Sequence, residues 1–175
     1  MNSVFTSLYT DPLAEQGISD TLAALTAEYR SRVAIVCIGT DSNIPDSLGP
    51  LIGTMLVEKG LQAPVYGTLD QPLHARNMMN RLNTIRAQIP GYYWLAIDAS
   101  LGKKEEVGLI EIKKGGLLPG RAFNRNLPLI GDISILGKVG NFKTRYMVPI
   151  TEGRLGMIYA MARTIANGIW RWEQG

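Results

Sequence analysis

Apolar residues fall along this chain in short blocks whose spacing alternates between that of a strand and that of a helix. Residues 33–38 (Val-Ala-Ile-Val-Cys-Ile) form an unbroken apolar run that stops at Gly39, the pattern of a strand buried on both faces. A polar loop, 40–49, leads to Pro50 and to apolar Leu51, Ile52, Met55 and Leu56, which predicts a helix begun at Pro50 and stopped near Gly60. The order then repeats, with a short strand at 65–67, a helix at 73–87 begun after Pro72, and a strand at 92–97 that ends at Asp98. Strand and helix alternating in this way predict a parallel sheet with helices on its faces.

The flanks are less regular. Residues 1–17 carry little periodicity, and Ser19 is placed to cap a helix through Leu22, Leu25, Thr26 and Tyr29. Residues 1–32 therefore read as an N-terminal helical extension of a single domain spanning 1–175. Residues 107–113 alternate apolar and polar, as an exposed edge strand does, and can run antiparallel. The segment 114–128 is rich in Gly, Pro and Arg and reads as a long functional or mobile loop, after which 133–139 returns as a last strand. From Thr151, a candidate cap, the residues Leu155, Ile158, Tyr159, Ala162, Ile165, Ala166 and Ile169 share one helix face and predict the helix that closes the core.

Composition narrows the class. In 175 residues, 46% hydrophobic and 19% charged side chains suffice for the core of about one domain and exclude a disordered chain. The net charge of +3 comes from basic residues scattered along the chain, not striped, so nucleic acid is not an expected partner. The most apolar long segment, 155–170, is broken by Arg163 and Asn167 and is too short to cross a bilayer. The single cysteine, Cys37, cannot form an intramolecular disulfide, and Asp11, Glu15 and Asp20 stand where a secretory signal would be basic and then apolar. A cytoplasmic protein, off the membrane, is expected.

Three predicted strand ends carry acids: Asp41 and Asp46 in the 39–50 loop, Asp70 in the 67–74 loop, and Asp98. In a parallel α/β sheet such loops form the ligand crevice, so carboxylates from separate strands can converge there. Two aspartates brought together do not ionise independently; one can donate a proton while the other accepts one, as amide hydrolysis through an activated water requires. The competing reading makes Asp41 and Asp46 turn or helix-cap residues and Asp98 a cap for the element after its strand. Asp98, however, ends an apolar run where solvation is poor. His74, the sole histidine, either caps the helix after Pro72 or faces the crevice. Cys37 reads as a small core residue. No dinucleotide or Walker glycine pattern and no Gly-x-Ser-x-Gly elbow occur, and one His with one Cys cannot supply a zinc site, so no cofactor or metal is expected. Arg121 and Arg125 in the long loop are candidates for holding the acidic groups of a peptide.

The segments Gly39-Thr40-Asp41 to Pro45-Asp46-Ser47-Leu48-Gly49-Pro50, Tyr66 to Ala75 and Ala96-Ile97-Asp98-Ala99 resemble the small sporulation protein family called YyaC. That family is similar to the germination protease that degrades small acid-soluble spore proteins and, more distantly, to hydrogenase maturation proteases. The resemblance runs from about Val33 to the closing helix. It implies a three-layer α/β/α fold with a mostly parallel, mixed five-stranded sheet, in which the strands 33–38 and 92–97 are neighbours. It also implies a catalytic pair at Asp46 and Asp98, the positions that match the two proposed catalytic aspartates of the germination protease. Asp41 and Asp70 are then substrate-orienting acids, and His74 a pocket residue. In hydrogenase maturation proteases a nickel-binding Glu stands where this chain has Ser47. The implied activity is a sporulation-associated peptidase acting on a peptide or protein substrate, in the cytoplasm of the developing spore or mother cell. The alternatives are a non-catalytic peptide-binding sporulation protein and a nickel-dependent maturation endopeptidase.

Overall fold

The computed structural model describes residues 3–119, 129–141 and 154–175. Among the described residues six strands form one sheet: β1 (Ser3–Leu8), β2 (Val33–Cys37), β3 (Val65–Tyr66), β4 (Tyr93–Gly102), β5 (Leu109–Lys114) and β6 (Ile133–Asn141). Their order is β1-β5-β6-β4-β2-β3. β3, β2, β4 and β6 run parallel, whereas β5 is antiparallel to β6 and β1 to β5. The described α-helices, α1 (Ala14–Leu25), α2 (Leu48–Glu58), α3 (Met78–Gln88) and α4 (Leu155–Gln174), cover the two faces.

Side chains that alternate along a strand point to opposite faces, and β2 shows what that does here. Val33, Ile35 and Cys37 pack with Ile18 and Leu22 of α1, Ile52 and Leu56 of α2, and Ile165 and Ile169 of α4. Ala34 and Val36 pack instead with Met78, Leu82 and Ile85 of α3. All five β2 residues are buried, as an unbroken apolar run in a parallel sheet requires. The three-layer α/β/α arrangement expected from the sequence holds, including β2 beside β4. Cys37 is a core residue, and burial pushes its thiol up.

Several boundaries differ from expectation. The sheet has six strands, not five, because the N-terminal segment supplies β1 as well as α1. Only Phe5 of β1 packs on the main core, and Val4 and Leu8 are exposed, so this edge strand left no periodic signal. β1 in turn makes β5 an inner strand and not an exposed edge, with Ile110 and Ile112 fully buried. α1 begins at Ala14, after a turn in which Leu13 N–H donates to Asp11 Oδ1 (2.8 Å); Ser19 is buried within the helix and caps nothing. α3 begins at Met78, because Leu73 is drawn into a bridge with Ile38, just past β2, and the chain then turns from His74 to Asn77. β4 continues past Asp98 to Gly102. Thr151 and most of the predicted 114–128 loop lie outside the described residues.

α4 buries Ile158, Met161, Ala162, Ile165, Ala166, Ile169 and Trp172, while Leu155 and Tyr159 of the predicted stripe are exposed. Polar ties set this rotation: Thr164 Oγ1 donates to the Tyr9 carbonyl (3.0 Å) and Trp172 Nε1 donates to Thr26 Oγ1 (3.0 Å). At the far end of α4 the Glu173 carboxylate accepts the N–H groups of Gln62 (2.9 and 3.0 Å) and Ala63 (2.7 Å), in the turn that enters β3. A strand of two residues has little ladder of its own, so this clasp holds β3 in register. Glu173→Ala is expected to lower unfolding stability by about 1–3 kcal/mol, the loss for hydrogen bonds to a charged acceptor. Urea denaturation checks it, and an unchanged midpoint would show that β3 does not depend on the clasp.

Candidate active site

The site is assembled where β2 ends. Ile38 N–H donates to the Ile97 carbonyl of β4 (2.8 Å), and Gly39 N–H donates to the Leu73 carbonyl (2.8 Å), with Ile38 and Leu73 paired in a parallel bridge. Next along the chain from these two carbonyls are Asp98 and His74. A third tie, Thr40 N–H to the Asp46 carbonyl (3.0 Å), folds the loop back so that Asp46 lies over Gly39. Gly39 adopts φ +143° and lies so close to the Asp46 carbonyl that a β-carbon there would overlap it. Only glycine permits this closure.

β2 and β3 send their following helices to opposite faces, α2 to one and α3 to the other. From β2 the chain crosses to β3 on one side, and from β4 it passes to β5 and β6 on the other, so the carboxyl end of β2 and the neighbouring part of β4 form a switch point of the sheet, where α/β folds open a crevice. Asp46 sits in a 3-10 turn, Ile44–Ser47, immediately before α2, and is half-buried. It caps nothing: the residue preceding α2 is Ser47, whose hydroxyl donates to the Ile44 carbonyl (2.7 Å), and no described residue donates to the Asp46 carboxylate.

Asp98 lies within β4, one residue beyond the last pairing with β2, and is 7% exposed. Its Oδ1 accepts the Ala99 N–H (2.8 Å). Burial pushes its carboxyl well above the usual carboxylate range, the Asp46 charge pushes it further, and the Ala99 N–H only partly opposes them. Burial also raises Asp46, and the positive charge of His74 pulls it back. The charge of Asp46 thus reaches Asp98 and that of His74 reaches Asp46, which brings together residues that follow β2 and β3 with one inside β4.

His74 is half-buried and does not cap α3. Its N–H donates to Asn77 Oδ1 (3.0 Å), Asn77 Nδ2 donates to the Pro72 carbonyl (3.0 Å), and the Arg76 N–H donates to His74 Nδ1 (3.3 Å). Accepting at Nδ1 leaves Nε2 to carry the ring's proton when His74 is neutral. Asn77 is a positioning residue that the sequence pattern did not single out; its spacing of three from His74 was the available signal. Asp41 and Asp70 are both exposed, Asp41 beside Thr40 Oγ1 (3.4 Å), and neither charge is among those acting on Asp46 or Asp98. Arg121 and Arg125 lie outside the described residues. Among the described residues no group of three or more His, Cys, Asp and Glu side chains is arranged to hold a metal ion, and no helix is long and apolar enough to cross a membrane.

A family profile described as a protein of unknown function (DUF1256) matches residues 6–168. A Bacillus subtilis (strain 168) protein described as "Uncharacterized protein YyaC" is 35% identical over 177 aligned residues, which cover 95% of this chain and 85% of that protein.

A buried carboxyl with a raised pKa binds its proton more tightly in the folded than in the unfolded state. Relative to a neutral isostere, Asp98 is least unfavourable below its unfolded value near 3.8 and becomes destabilising as pH rises through the raised folded value. Asp98→Asn is therefore expected to unfold at a higher temperature than wild type at pH 7 to 8, with the gap closing as pH falls toward 4. Equal melting temperatures across that range would contradict an ionisable, buried Asp98.

Proposed function

We propose that this chain, which belongs to the DUF1256 family and is a YyaC-type protein, hydrolyses an amide bond of a peptide or protein with Asp46 and Asp98 as an acid–base pair. The observation that carries this reading is the placement of one deeply buried and one half-buried carboxyl at a single switch point, each with its pKa raised and the buried one raised further by its neighbour. Such a pair holds one proton between its two members over a range of pH, and its two apparent pKa values belong to the pair. Asp98, the less solvated, keeps the proton. Asp46, reached by water and by the charge of His74, is the carboxylate.

In the proposed step Asp46 takes a proton from a water molecule whose oxygen attacks the carbonyl carbon. Asp98 gives its proton to the departing nitrogen as the C–N bond breaks, and the pair is then reset by proton exchange with solvent. General acid and base groups of this kind each contribute about 10²–10⁴-fold. The choice of an amide as substrate, and of the sporulating cell as setting, rests on the resemblance of the Pro45-Asp46 and Ile97-Asp98 segments to the spore protease motifs.

Asp46→Asn and Asp98→Asn are each expected to lower the rate of cleavage of a casein or mixed-peptide substrate by about 10²-fold or more. The wild-type profile is bell-shaped, with activity falling as pH drops and Asp46 is protonated, and falling again as pH rises and Asp98 loses its proton. Because His74 lowers the Asp46 value, His74→Gln is expected to move the acid limb to higher pH. Full activity in both Asn variants would end the acid–base reading, and an acid limb unmoved by His74→Gln would remove His74 from it.

A further inference from the structure

β3 is an outer strand of the sheet, with no described strand beyond it. Ile35 N–H donates to the Pro64 carbonyl (2.8 Å), and Val36 pairs with Tyr66, so residues 64 and 66 turn their backbone groups toward β2. By alternation, the N–H and C=O of Val65 and the N–H of Gly67 point away from the sheet. A cavity of about 190 Å³ opens beside this edge, lined by Val65, Tyr66, Gly67, Thr68, Gln71 and Arg81. That is smaller than the roughly 300 Å³ of a small-molecule site and close to the ~150 Å³ that accepts a single ring, so it fits one side chain.

Arg81 sets the chemistry of that side chain. Its Nη1 donates to the Gln71 carbonyl (3.3 Å) and its Nη2 to Gln71 Oε1 (3.1 Å), which orient the guanidinium and leave further N–H donors free. No described carboxylate pairs with it. Tyr66 turns its side chain to the α3 face, where Arg81 lies, and a residue opposite Tyr66 on an added strand would turn to the same face. The segment that walls this cavity runs on through Thr68 and Gln71 to Leu73 and His74, so the cavity and the crevice share one stretch of chain.

We propose that a peptide substrate docks on β3 by adding to the sheet as a further strand, with an acidic side chain seated in the cavity against Arg81. This rests on the peptidase reading above, which supplies the reason for an extended peptide. From an added strand to β4 is three inter-strand spacings, about 14 Å, which four or five extended residues span. The acidic residue therefore lies four or five positions from the bond that is cut. Main-chain bonds to Val65 and Gly67 supply affinity without regard to sequence, and Arg81 supplies selectivity.

The test uses two fluorescein-labelled decapeptides of alternating valine and threonine with a single central residue, glutamate in one and lysine in the other. They are titrated into the Asp98→Asn protein, with binding read by fluorescence anisotropy and amide exchange read by NMR. The glutamate peptide is expected to bind about tenfold or more tightly than the lysine peptide, to slow exchange of the Val65 and Gly67 amides, and to lose its advantage to the lysine peptide in Arg81→Glu. Val65→Pro, which removes an outward N–H and no bond to β2, is expected to weaken both peptides. Should that variant not fold, Arg81→Glu carries the test alone. Equal binding of the two peptides, binding of neither, or protection confined to other amides overturns the proposal. If wild type cleaves with dependence on Asp46 and Asp98 but KM is unchanged in Arg81→Glu, the docking site fails and the peptidase reading stands. If the glutamate peptide binds at Val65 and Gly67 but nothing is cleaved, the reverse holds.

Discussion

At the carboxyl end of β2 the chain is gripped from both sides, Ile38 by the carbonyl of Ile97 and Gly39 by the carbonyl of Leu73. The grip depends on β2 and the segment leading to Leu73 both ending level with Ile97 of β4, which itself runs on to Gly102, and it has one consequence for the site. The side chains one position beyond the two gripping carbonyls, Asp98 and His74, are brought beside the loop that Gly39 turns back on itself. A slip of one residue in the β2–β4 register would turn Asp98 to the opposite face, among the helices α1, α2 and α4. The buried hydrophobic faces of β2 and β4 prevent that slip, since every residue from Val33 to Cys37 and from Leu95 to Ile97 is committed to a core.

Holding Asp98 there is unfavourable for the fold. A carboxyl within a strand, above Trp94 and Ala96 on the α3 face, has lost most of its water and, among the described residues, keeps a single N–H donor, that of Ala99. Packing elsewhere offsets this: burial of a large aliphatic side chain stabilises by roughly 1.5–3 kcal/mol, and the main core contains many. Under the acid–base reading proposed above, stability and reactivity are set against each other at this residue. Asp46 is held differently, on a short turn whose backbone is fixed and whose carboxylate stays within reach of water.

The far end of the chain also shapes the crevice. Glu173, near the end of α4, grips the turn that enters β3, and the chain leaving β3 carries His74. Asn77 closes the same loop from the other side. The wall of the crevice on the β3 side thus rests on one side chain from the distant end of α4, one local side chain, Asn77, and a ladder of two residues.

Much of this architecture is legible in the residues themselves. A strand buried on both faces demands an unbroken apolar run, so β2 and the start of β4 stand out, and a closing helix must show its apolar stripe at helical spacing, as α4 does. Asp98 is visible as a polar residue where an apolar run stops, and Asp46 and Asp70 as acids in the loops that follow predicted strands. An edge strand in contact with the core at few points has no such obligation, which is why β1 leaves no pattern and β5 reads as exposed. Nor can spacing along the chain tell which acids meet. Asp41 lies five residues from Asp46 and points to solvent, while Asp98 lies fifty-two residues away and shares its field. That choice depends on which strands are neighbours and on where each one ends. Those are properties of the sheet, decided by burial of both its faces at once, and no segment carries them alone.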